Sequence, residues 1–171
     1  MTFRAPTSRV DPMYHAGERS ALAEWLDYHR ATLLQKLDGL DDDQLRREMV
    51  PSRLCLLGLV KHLTAVEHGW FVVNFAQSGE PHMFESPDDP DADFHIEENE
   101  TTDAIVDGYL RACARSREIY TNASSLDATF SHPRRGMMGL RWLMLHMIEE
   151  TARHNGHADI IREQIDGATG M

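Results

Sequence analysis

The sequence is poor in cysteine and in positive charge, and it has no long hydrophobic run. Two cysteines, Cys55 and Cys113, occur in 171 residues. That excludes a disulfide framework. Both fall in segments with helical periodicity, where a free Cys is usually a small buried hydrophobe. Lys and Arg number 17 against 28 Asp and Glu, a net charge of −11. A surface of that sign repels phosphates, which excludes general nucleic-acid binding and docking on anionic membranes. No apolar stretch reaches bilayer-spanning length. The opening "MTFRAPTSRVDPMYHAGE" lacks the apolar centre of a secretory signal, so a cytoplasmic location is expected. Strand-like alternation is also missing. What remains is an ordinary soluble composition, 42% hydrophobic and 26% charged, long enough for one domain with a sizeable core over residues 1–171.

Helical periodicity dominates. After an extension over residues 1–17, a first helix is expected from Glu18 to Leu37, with an apolar stripe of Leu22, Trp25/Leu26, His29, Leu33 and Leu37. Gly39 is its stop, and "DDDQLRREM" adds a turn or two. A second helix is expected from Leu54 to Gln77, apolar on Leu56, Leu59/Val60, Leu63, Val66, Trp70 and Val73. A third starts at the Thr101/Thr102 cap and ends near Asn122, with a stripe of Ile105, Tyr109/Leu110, Cys113 and Ile119/Tyr120. "ASSLDATFSHPRRGMMG" reads as a loop. A fourth helix runs from Leu140 to Ile165, stopped by Gly167. Between the second and third helices, residues 79–101 form an acidic, Pro-containing stretch; Glu80–Asp103 holds no Lys or Arg. Such a stretch cannot build a core, so a long surface loop is expected. The fold class is therefore all-α, a four-helix bundle with one long connection.

Polar residues interrupt the apolar stripes. On the fourth helix the stripe is Leu140, Leu143, Met147, then Ala158, Ile161, Ile165, and its middle positions are Glu150 and His154. Four residues apart, they share one helix face. A buried carboxylate needs a partner charge, hydrogen bonds or a metal. A Glu–His hydrogen bond, or a pair with Arg153, meets that need; so does a divalent cation, for which Glu and neutral His are good ligands. "HNGH" offers a rival pair, His154 and His157. On the second helix, His62 lies in the row Leu59, His62, Val66, Gly69, Val73. Two His and one carboxylate from facing helices would make a metal site with open positions. His29 is the spare ligand on the first helix, and His146 precedes Glu150 by one turn. His68, His82, His95 and His132 read as surface or loop residues.

"GLVKHLTAVEHGWF", "ETARHNGHADIIREQIDG" and "LAEWLDYHRATLLQKLDGLDDDQLRR" together resemble the DinB-like superfamily of four-helix bundles, and most of all its small single-domain actinobacterial branch. The resemblance spans Glu18 to Gly167. It implies a metal held by His62, Glu150 and His154, since the branch similar to mycothiol-dependent maleylpyruvate isomerase has Glu where most of the superfamily has His. The metals it implies are zinc first, then nickel, iron or manganese. It also implies transferase or isomerase chemistry with a low-molecular-weight thiol such as mycothiol. The isomerase has a further C-terminal domain without counterpart here, so isomerase activity itself is not expected.

The expected function is thus a metal-dependent transferase joining a small thiol to a small electrophile. A bound cation lowers a thiol's pKa and so yields the nucleophilic thiolate at neutral pH; by the same logic it would activate water for hydrolysis. His157 and Glu67 are candidate bases, and Arg134 and Arg135 candidate contacts for an anionic substrate. Rival expectations are a metal- or ligand-binding stress-response protein without turnover, and a structural bundle with an internal Glu–His network. Trp25 and Trp142 are candidate contacts for a homodimer.

Overall fold

A computed structural model describes residues 2–170. The chain is mostly helical. Its elements are α1 (Glu18–Gln35), α2 (Asp42–Leu45), α3 (Leu56–Glu67) running into a π-helix (His68–Phe75), α4 (Thr102–Asn122), β1 (Thr129–His132), β2 (Gly136–Gly139) and α5 (Leu140–Asp166). Among the described residues, no helix is long and apolar enough to cross a membrane.

Local chemistry sets the helix starts. Asp41 caps α2 through a reciprocal box: its carboxylate accepts from the Gln44 amide at 2.9 Å, and the Gln44 side chain accepts from the Asp41 amide at 3.0 Å. The Thr101 hydroxyl accepts from the Ala104 amide at 3.2 Å and starts α4. Cys55, expected inside the second helix, lies one residue before α3 and caps it, its sulfur accepting from the Gly58 amide at 3.3 Å. Both thiols are buried and unpaired.

The long helices pack α1 on α5, α3 on α4 and α3 on α5. Their apolar residues form two clusters. One gathers Leu33, Leu37, Leu59, Leu63, Ile105 and Ile161. The other gathers Leu26, Phe71, Tyr120, Leu140, Leu143 and Met147. Between them lies a belt of buried polar side chains: Arg30, Glu67, Glu150, Thr151, His154 and Asn155.

Two elements differ from the sequence reading. Residues expected as loop make a hairpin, with Thr129 opposite Gly139 and His132 opposite Gly136. Its turn is closed by the Arg135 amide on the His132 carbonyl at 3.3 Å, and β2 opens on Gly136 at φ +75°, a left-handed conformation that glycine adopts without steric cost. Each strand is four residues and only Phe130 is buried, so no alternating pattern was long enough to read. The second helix keeps α-helical spacing only to Glu67. In the π-helical segment each turn takes in an extra residue, so the apolar row passes to Phe71 and Val72, both buried, while Val73 is half-exposed.

Candidate metal centre

α3 and α5 bring His62, Glu150 and His154 together, close enough for one ligand atom of each to lie within 4.8 Å of the others. Glu150 Oε1 stands 3.1 Å from His154 Nε2 and 3.5 Å from His62 Nε2. The two imidazole rings meet edge to face, 4.7 Å between centres. Glu150 and His154 are buried, 8% and 7% exposed. His62 Nε2 is also buried and has no hydrogen-bond partner, which is costly for a polar atom unless something else meets it. Arg153 pairs with the other oxygen of Glu150, Oε2. Oε1 is therefore the oxygen that faces both imidazoles.

The charges agree with this geometry. The His154 and His62 rings, and Arg153 beside them, hold the Glu150 carboxyl well below the usual carboxylate range despite its burial. Burial pulls His62 down, but the Asp93 carboxylate that accepts from Nδ1 and the nearby negative charge of Glu150 outweigh it and leave the ring above the ordinary His value.

The acidic loop takes part in the site. Asp93 Oδ2 bonds His62 Nδ1 at 2.7 Å, and the Phe94 ring stacks on His62 at 3.9 Å between centres, with planes 14° apart. The loop is pinned to α3 by Lys61, whose Nζ donates to the His95 carbonyl at 2.6 Å and to Glu100 at 2.9 Å. Sequence reasoning passed over Asp93 and Phe94. Their signal was "DADFHI", an aromatic and an aliphatic residue inside an acidic stretch; Phe94 and Ile96 both pack on the core.

Beside the triad lies a cleft of about 730 Å³, walled by Val66, Trp70, Met83, Phe84, Asp93 and His132. Asp93 belongs both to its wall and to the surroundings of His62. Arg134 and Arg135 are exposed at the hairpin turn, and the Arg135 guanidinium lies 5.5 Å from the centre of the Trp70 ring.

The other sequence candidates are placed elsewhere. Glu67 is locked in a bidentate pair with buried Arg30, at 2.7 and 2.6 Å, which occupies both of its oxygens. His29 packs on Trp25, and its carbonyl accepts from Asn155 at 3.0 Å. His157 is exposed, its Nδ1 facing His154 Nδ1 at 3.3 Å. His146 sits between Trp70 and Trp142 and forms a second, more open grouping with Glu149 and Glu150. His68, expected at the surface, is buried and bonds the Pro81 carbonyl at 3.0 Å. The π-helix turns it under the start of the acidic loop.

No curated protein matches the chain. A family model described as "MST: Mycothiol-S-transferase" matches residues 21–167, which takes in the long helices from the first turn of α1 to the glycine after α5. A match over that much of the sequence, enclosing the whole His–Glu–His cluster, places the chain in the mycothiol-S-transferase family.

Proposed function

We propose that this protein is a metal-dependent thiol transferase that joins a low-molecular-weight thiol of the mycothiol type to a small electrophile, with His62, Glu150 and His154 as the metal ligands. The observation that carries the reading is the buried His62 Nε2, which makes no hydrogen bond and faces Glu150 Oε1 and the His154 ring. Two imidazoles and one carboxylate suit zinc first, and nickel, iron or manganese by the same donor chemistry. A cation held there supplies the positive charge that keeps a cosubstrate thiol deprotonated at neutral pH. The protein's own thiols do not serve: burial pushes Cys113 up to about 12 and raises Cys55 as well. The nucleophile is therefore brought in from outside. The 730 Å³ cleft is large enough for a small-molecule site, with Trp70 and Phe84 as aromatic walls and Glu85, Asp89 and Asp93 as its charged ones.

In this reading the long helices are a DinB-like four-helix bundle forming one cytoplasmic domain over residues 1–171. The exposed Trp25 and Trp142 are its homodimer contacts, at 47% and 41% exposure.

A rival reading, an internal network without metal, has its own support in the Arg153–Glu150 pair. Metal content of the untagged protein, by mass spectrometry, separates the two. One metal per chain is expected after supplementation, and loss of it in His62→Ala and in Glu150→Ala. A wild type that stays metal-free under every supplementation overturns the metal reading. A screen of thiols against electrophiles then tests turnover, with His154→Ala expected to be inactive. A metal-loaded protein without turnover on any pair would leave a metal-binding stress-response role in its place.

A further inference from the structure

His62 is the only member of the His–Glu–His cluster on α3, and the acidic loop grips it. Nδ1 meets the Asp93 carboxylate at 2.7 Å, and Phe94 covers one face of the ring at 3.9 Å. A carboxylate only accepts, so the imidazole must carry its proton on Nδ1 to make that bond. In the neutral ring this leaves the lone pair on Nε2, the atom that faces Glu150 and has no hydrogen-bond partner. The loop is held where it can do this. Its backbone comes so close to α3 that a Cβ on Gly58 would lie 2.3 Å from the Phe94 carbonyl oxygen. Lys61, next to His62, ties down the following carbonyl, that of His95.

We propose that Asp93 is a positioning residue for the metal centre: it fixes the tautomer and ring orientation of His62, so that closure of the acidic loop and metal binding stabilise one another. The inference rests on the metal reading above and extends it to a segment that supplies no ligand of its own. A carboxylate on the far nitrogen of a ligating His sets its ring and raises its basicity, and removing such a partner typically costs about 10–100-fold in metal affinity. Reciprocity then requires that metal, by selecting the oriented ring, favour the closed loop.

Zinc affinity of the full chain, measured by competition with a chromophoric chelator, tests this in wild type, Asp93→Asn and Asp93→Ala. Asp93→Asn keeps the side chain's size and removes the charge. We expect it to weaken zinc by about 10–100-fold and to alter the visible spectrum of the cobalt-loaded protein. Zinc is expected to slow hydrogen exchange over residues 91–96 in wild type and much less in Asp93→Ala. An Asp93→Asn protein that binds zinc as tightly as wild type, with an unchanged cobalt spectrum, overturns the inference and leaves the metal reading standing. A wild type that binds no zinc, cobalt, nickel, iron or manganese overturns the metal reading, and this inference with it.

Discussion

Glu67 shows how far a residue's role depends on what faces it. By sequence it was a candidate base beside His68. In the fold it is 1% exposed and forks onto Arg30, which is 4% exposed. Removing one partner of a buried pair strands the other charge, so Glu67→Ala should destabilise the protein by about 3–5 kcal/mol. Replacing both, as in Arg30→Met with Glu67→Leu, should cost far less. Urea unfolding of the two variants checks this; equal losses would show that packing rather than charge is at stake. His29 makes a titratable prediction. Burial holds its pKa below the ordinary His value. The unfolded chain therefore takes up a proton that the folded state resists, and stability from this group is whole above about pH 6.5 and falls as the pH drops below it. His62, held above the ordinary value, acts in the opposite sense. The contribution of His29 is thus read as a difference: His29→Gln should lose less thermal stability than wild type between about pH 7 and pH 5.5. A parallel pH dependence of Tm in the two proteins would count against it.

At the scale of elements, α3 and the acidic loop form a single working unit. Gly58 sits one turn before His62, where the Phe94 carbonyl leaves no space for a side chain. Gly156 on α5 lies near His154 too, but nothing stands within 4 Å of its would-be Cβ. The same change should therefore have opposite outcomes. Gly156→Ala should stabilise by roughly 0.5–1 kcal/mol through helix propensity alone. Gly58→Ala should push the loop off α3 and speed proteolysis within residues 83–96, although Ala is the better helix former at both places. Limited proteolysis and thermal melts of the two variants report these effects. Comparable melting gains in both would mean that the loop yields to the methyl group without consequence.

Across the molecule, two apolar clusters are separated by a polar belt, and each long helix contributes to it: Arg30 on α1, Glu67 at the end of α3, Ser116 on α4, and Glu150 with His154 on α5. A belt of this kind costs stability unless its members are satisfied. Arg30 and Glu67 satisfy each other, whereas Ser116 Oγ, Asn155 Oδ1 and, beside the belt, His62 Nε2 make no hydrogen bond; of these only Nε2 faces a carboxylate and a second imidazole. A ligand that fills that place binds the folded chain alone, and at 100 times its Kd it would add about 2.7 kcal/mol of stability. Zinc should accordingly raise Tm in wild type, chelator should reverse the rise, and Glu150→Ala should show neither response. An unchanged Tm on zinc addition would argue that the His62–Glu150–His154 cluster takes no metal.

Legible from residue order were the long helices, the Thr101 cap of α4, the Gly167 stop of α5, and the placing of Glu150 and His154 on one face. These rest on 3.6-residue periodicity and on contacts within one turn, which a chain carries locally. Residue order also carried the family, through the segments containing His62, Glu150 and His154. Tertiary structure alone decided the rest. The π-helical shift after Glu67 breaks the period that sequence reading assumes. The hairpin depends on a turn rather than on any apolar pattern. The clamp of Glu67 by Arg30 spans 37 residues, and the bond from Asp93 to His62 spans 31. A partner that arrives from so far along the chain leaves no periodic trace beside the residue it meets. For that reason the acidic loop read as solvated connection until the fold laid it against His62.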